Sequence, residues 1–121
     1  MEDILLRPRD HIEELMGDSL RVLGLCMGRL WFKEMIVEIE AFRKTLGREK
    51  EVGEKSLKEA IKRLVDKGLI EAEEKMRVTY TGGEPDVLVG LRDYVSTIHM
   101  LRKDPDYLRY LEVMESFLGS R

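Results

Sequence analysis

The stretch that most constrains this chain is Ser56-Leu-Lys-Glu-Ala-Ile-Lys-Arg-Leu-Val-Asp-Lys-Gly-Leu-Ile70. Leu57, Ala60, Ile61, Leu64 and Val65 recur at helical spacing, which predicts one apolar stripe along a helix over 56–67. Ser56 stands where an N-cap belongs, with Glu59 three residues on as its capping-box partner. Gly68 supplies the residue that can take the left-handed conformation ending a helix. Leu69 and Ile70 then open an alternating run. The expectation is a capped helix joined without a linker to a β-hairpin, its strands 69–73 and 76–81 around Glu74-Lys75. Val78 and Tyr80 alternate there with Arg77, Thr79 and Thr81, which is expected to give one face to the core and one to solvent.

The flanking segments read as helices. Met1 to Arg9 is expected to be an extended lead-in, because Pro8 does not tolerate a helix interior. Asp10 and Glu13 form an N-cap pair that starts a helix through Ile12, Leu15 and Met16. That helix either breaks at Gly17 and restarts at Asp18 or Ser19, or bends and runs on to Met27; both readings stand. Gly28-Arg-Leu30 reads as a short connection. Trp31 to Leu46 is helical, with Met35, Ile39, Phe42 and Leu46 inward, Trp31 and Phe32 as core anchors and Gly47 closing it. Residues 48–55 form a polar turn. Beyond the hairpin, Pro85 suits a first helical turn, and Val87, Leu91, Tyr94, Ile98 and Leu101 make a heptad seam. Asp104-Pro105 interrupts it, and Tyr107, Tyr110, Leu111, Met114, Phe117 and Leu118 define a last amphipathic helix. The fold expected is mainly α with a small β-hairpin: one domain over 1–103 and a helical appendage over 104–121.

Composition narrows the class. With 121 residues the chain can bury a core of its own. Charged residues make up 37%, against about 25% in an ordinary domain; heat adaptation and plain solvated helix faces both account for this. The single cysteine, Cys26, excludes an internal disulfide framework and a Cys-based zinc site. It lies in an apolar run, as a buried structural thiol does. No basic-then-apolar leader pattern opens the chain, and no apolar run approaches the ~18 residues of a membrane span. No membrane partner is therefore expected, and a cytoplasmic protein is. The net charge of −3 is unevenly spread. Residues 1–42 carry −4, residues 43–67 carry +4, residues 68–103 carry −1 and the remainder −2. The cationic block coincides with helix 56–67 and its approach, and a local field of that sign attracts polyanions whatever the total charge.

Helix, helix, Gly-terminated third helix, short hairpin and long C-terminal helix, in that order over residues 18–103, resemble the winged-helix transcription regulators of archaea and bacteria. The resemblance rests on Leu64-Val-Asp-Lys-Gly-Leu-Ile-Glu71, the passage from recognition helix to first wing strand. Val78-Thr-Tyr-Thr-Gly-Gly83 is similar to the second wing strand. Such a likeness implies a recognition helix that enters the major groove of duplex DNA and a wing that touches its backbone or minor groove. The expected DNA contacts are Arg48 and Lys50 before the helix, Lys55, Lys58, Lys62 and Arg63 on it, and Lys75 with Arg77 on the wing. Lysines at these places neutralise phosphate more than they read bases.

A homodimer is expected because the C-terminal apolar residues exceed what a winged-helix core covers. Its interface is assigned to Leu91, Tyr94, Ile98, Leu101, Tyr107, Tyr110, Leu111, Met114, Phe117 and Leu118. The competing arrangement folds the last helix back over residues 10–16 to seal a monomer. No enzyme is expected. His11 and His99, the two histidines, stand apart in helical, charge-flanked or seam positions, and the carboxylates sit in lysine-rich helical contexts typical of solvated ion pairs. Gly82-Gly83 lacks the Lys-Ser or Lys-Thr of a phosphate loop. No cofactor and no metal are expected. The alternative function is a winged-helix module that binds protein within transcription or replication machinery, favoured by the acidic pI of about 5.5 and by Glu59 and Asp66 among the basic residues of helix 56–67.

Overall fold

The computed structural model describes residues 2–119. The chain is mainly helical, with six helices and a three-stranded antiparallel sheet among the described residues. In order these are α1 (Glu2–Leu6), α2 (His11–Leu25), β1 (Arg29–Trp31), α3 (Phe32–Thr45), α4 (Glu54–Asp66), β2 (Ile70–Thr79), β3 (Gly82–Leu91), α5 (Tyr94–Leu101) and α6 (Pro105–Gly119). The strands lie side by side as β1-β3-β2.

Helix α2 is the element against which α1, α3, α4 and α5 all pack. Leu20 and Leu23 of α2, Met35, Ile39 and Phe42 of α3, Leu57 and Leu64 of α4, and Ile70 and Val89 of the sheet are fully buried in one core. The apolar stripe read from Leu57, Ala60, Ile61 and Leu64 faces this core, whereas Val65 points outward. Ile36 packs half-buried beside it. Phe32 is buried as an anchor and Trp31 half-buried.

Both helices of the central pair end alike. Gly47 and Gly68 each have φ +74°. After α3, Arg48 N–H donates to the Arg43 carbonyl (2.8 Å) and Gly47 N–H to Lys44 (3.0 Å). After α4, Leu69 N–H donates to Leu64 (3.0 Å) and Gly68 N–H to Val65 (2.9 Å). Each pair satisfies carbonyls that a helix end leaves open, and the left-handed residue between them is why glycine stands there.

Several expectations need correction. Residues 2–6 are helical rather than extended, because Ile4 and Leu5 are buried against the rest of the chain and Pro8 comes only after the helix has ended. Gly17 does not break α2. A Cβ there would lie 3.4 Å from the Ile4 carbonyl oxygen and 3.3 Å from Arg21 Nη1, so the glycine lets α1 approach. Gly28-Arg-Leu30 is not a mere connection: Arg29, Leu30 and Trp31 pair with Gly90, Val89 and Leu88. Helix α4 begins at Glu54 behind Gly53, and Ser56 lies inside its first turn instead of capping it.

The largest correction concerns residues 82–91. They form β3, paired with β2 from Thr79↔Gly82 to Ile70↔Leu91, so the hairpin turns at Tyr80-Thr81 and not at Glu74-Lys75. Pro85 sits in that strand opposite Met76. It is tolerated because β1 covers only residues 88–90, leaving β3 with a strand on one side at that point. The heptad seam through Val87 and Leu91 therefore does not exist, and Leu91 is not on a helix. Helix α5 starts at Tyr94, capped by Asp93, whose carboxylate accepts from Ser96 N–H at 3.0 Å.

Candidate nucleic-acid interface

The surface that the sequence singles out is the outer side of α4. Burying Leu57, Ala60, Ile61 and Leu64 turns Lys55, Lys58 and Lys62 to solvent, three lysines at steps of three and four. With Ile12, Ser56 and Glu59 they line a shallow open groove of about 460 Å³ between the start of α2 and α4. Lys58 lies 3.4 Å from Glu54, and Arg63 lies 3.0 Å from Glu59, each pair four residues apart and largely in water. Solvent screens such pairs, which leaves the lysines free to exchange partners. Lys55 and Lys62 make no ion pair among the described residues. Lys50 is exposed in the loop before α4.

Arg48 is a correction. Its guanidinium turns inward: Nη2 lies 3.0 Å from Asp18 Oδ1 and 3.2 Å from Asp106 Oδ2. It belongs to a buried ionic cluster that sequence patterning missed. Asp18 of α2, with no exposed surface, also accepts from Arg21 Nη1 (2.8 Å) and Arg43 Nε (2.8 Å). Arg21 in turn holds Asp104 through Nε (2.7 Å) and Nη2 (2.9 Å), and donates to the Leu5 carbonyl at 2.8 Å. Asp104 then caps α6 by accepting from Tyr107 N–H at 2.9 Å. Burial by itself pushes the Asp18 carboxyl upward, but the guanidiniums of Arg48, Arg43 and Arg21 outweigh it and hold its pKa below the ordinary value. The one signal in the sequence was charged residues at otherwise apolar helix positions.

The hairpin is less cationic than expected. Arg77 sits 3.6 Å from the buried Asp86 and 3.9 Å from Glu34, and Lys75 lies 3.8 Å from Glu73. Glu71, Glu73 and Glu74 are exposed on the same strand as these two cations. Beside the hairpin, Phe32, Ile36, Pro85 and Val87 wall an open cavity of about 500 Å³ rimmed by Lys33, Glu54, Lys58 and Glu74. Among the described residues, no group of three or more His, Cys, Asp or Glu is placed to hold a metal ion, and no helix is long and apolar enough to cross a membrane. Cys26 is half-buried, its thiol pushed up by burial and by Glu38 and Glu34, hence protonated near neutral pH.

The residues assigned to a dimer interface divide sharply. Leu101 is fully buried beside Gly24, and Tyr107 is buried with Leu5 and Leu101, so both belong to the chain's own core. Ile98 packs half-buried beside them. Tyr94 lies over Gly28. Tyr110 stacks on Phe42 with ring centroids 5.1 Å apart. Further along α6 the apolar stripe leaves the core: Met114 is half-buried, Leu111 is exposed, and Phe117 and Leu118 are 79% and 72% exposed. A scan against protein-family models finds no match, and neither the curated proteins nor the solved structures compared with the chain give one.

Proposed function

We propose that this chain is a winged helix-turn-helix regulator that binds duplex DNA through the outer face of α4 and acts as a homodimer. The observation that carries the reading is Lys55, Lys58 and Lys62 on the solvent side of a helix whose other side is locked into the core. The order α2, β1, α3, α4, β2, β3 with strands arranged β1-β3-β2 supports it, because this leaves α4 directly before a protruding hairpin. The distal stripe of α6, Leu111, Met114, Phe117 and Leu118, is the surface assigned to dimerisation. A two-fold pair of recognition helices suits a palindromic site.

The test is titration of a fluorescent random duplex over a range of salt. Affinity should fall steeply as salt rises, and replacing Lys58 and Lys62 together by Ala should weaken binding to every sequence and shallow the salt slope by about two. Unchanged affinity in the folded double variant removes this face from DNA binding. The second reading, a module that binds another protein, draws on the exposed Glu71, Glu73 and Glu74 of the hairpin, which repel phosphate. Passage through heparin and duplex DNA columns without retention at low salt supports it over the first.

A further inference from the structure

Strand β2 is an edge. Among the described residues the sheet order β1-β3-β2 leaves one side of its ten residues without a strand, and residues 71–76 are all exposed. A long open edge offers a row of unpaired N–H and C=O groups to another strand, and proteins ordinarily discourage that with charges. Here the charges have an order of their own. Glu71, Glu73, Lys75 and Arg77 occupy alternate positions, so they share one face of the strand; the 3.8 Å approach of Lys75 to Glu73 agrees with this. The series negative, negative, positive, positive becomes its own complement when reversed.

We infer that the β2 edge pairs with β2 of a second copy, antiparallel and centred on Glu74. In that register Glu71 of one copy faces Arg77 of the other and Glu73 faces Lys75, each pairing occurring twice by the two-fold symmetry. On the opposite face Ala72 meets Met76, and Val78, which is 89% exposed in the single chain, pairs with the backbone at Ile70, whose side chain stays in its own core. The register is selected by charge. Sliding it by two residues exchanges the central Glu74 pair for Glu73 against Glu73 or Lys75 against Lys75, so each register carries one like pair, but it leaves only two opposite-charge pairs instead of four. The two Glu74 side chains meet at the centre, and each lines an open cavity of its own chain that Lys33 and Lys58 also line. Arg77 already has Asp86 and Glu34 within 4.0 Å, so it enters the pairing held in place. The inference stands independently of DNA binding and of the α6 contact.

The experiment uses the full chain carrying Phe117→Ser and Leu118→Ser, which removes the two most exposed residues of the α6 stripe without touching the core, in low salt and without DNA. Sedimentation should show reversible dimers at tens of micromolar, with amide exchange of residues 71–79 slowing as concentration rises. Glu73→Lys and Lys75→Glu, each alone in that background, should weaken association at least tenfold. Mixed one to one, the two should associate again. The lysine introduced in one variant then faces the glutamate introduced in the other, and all four pairs are restored. A chain that stays monomeric at hundreds of micromolar overturns the pairing. So does single-variant association unchanged from the parent, or a mixture no better associated than its components.

Discussion

Two sets of ion pairs in this molecule contrast. Around Asp18, the side chains of Asp18, Arg21, Arg43 and Asp104 from α2, α3 and the α5–α6 junction meet almost without water, and Arg48 from the loop after α3 joins them half-buried. Along α4, Glu54–Lys58 and Glu59–Arg63 lie in solvent on one helix. Both are ion pairs of similar length, but their consequences differ. A buried charge that loses its partner stays buried and unpaired, so every member of the inner cluster is needed to hold the others. A surface pair contributes roughly 0–1 kcal/mol and yields its cation readily to another anion. The inner cluster is scaffold, and the outer pairs are exposed and exchangeable.

Removing a charge from each set measures the contrast. Asp18→Asn leaves Arg21 and Arg43 without their shared carboxylate in the interior, and should destabilise the chain by about 3–5 kcal/mol in denaturant unfolding. A loss below about 1 kcal/mol would mean that water reaches the cluster and that its burial is not decisive. For scale, Ile61→Ala deletes apolar volume from the core side of α4 and should cost ~2–5 kcal/mol. A small shift in its midpoint would place α4 at the periphery and weaken the case for its orientation.

Acid probes the same cluster without mutation. The folded pKa of Asp18 is held below its unfolded value, so its contribution to stability is fully present above about pH 4 and is lost as pH falls through the depressed folded value. Glu13, lowered to about 2 by the hydrogen bonds it accepts from the Arg9 side chain and backbone, acts in the same direction. Unfolding midpoints should therefore drop as pH falls below about 4, and Asp18→Asn should flatten that drop. An acid profile identical in the two chains would assign the effect to other carboxylates.

The smallest effect on stability is expected outside. Lys58→Ala with Lys62→Ala should move the unfolding free energy by no more than about 0.5 kcal/mol, as surface changes usually do. A large loss of stability would tie these lysines to the scaffold. The same contrast bears on α6. Ending the chain at Lys103 would strip Asp104 and Tyr107 from the interior, so it removes scaffold along with any interface. Phe117→Ser with Leu118→Ser tests the exposed stripe alone, and should shift the solution mass with little change in the unfolding midpoint.

What the sequence by itself determined was local. The stripe on α4, the glycine stops at Gly47 and Gly68, the Asp10 cap and the inward row Met35, Ile39, Phe42 and Leu46 were legible because each depends on neighbours within one or two helical turns. The lysines on the outer side of α4 were legible for the same reason, since one helical period sets both faces. Residues 87–101 show where such reading stops. Val87, Leu91, Tyr94, Ile98 and Leu101 satisfy a heptad, yet Val87 and Leu91 lie in a strand, because residues 82–91 find β2 on one side and, over 88–90, β1 on the other. A period cannot reveal a partner distant in the chain. Strand β1 is three residues long and exists only through that pairing. Gly17 has the look of a break and is a contact. Arg48 has the look of a phosphate ligand and is a half-buried strut, because Asp18, thirty residues earlier, and Asp106, fifty-eight later, lie within its reach. Which charges face inward was decided only by tertiary structure, since the low-dielectric interior accepts a charge only where opposite charges from several elements converge.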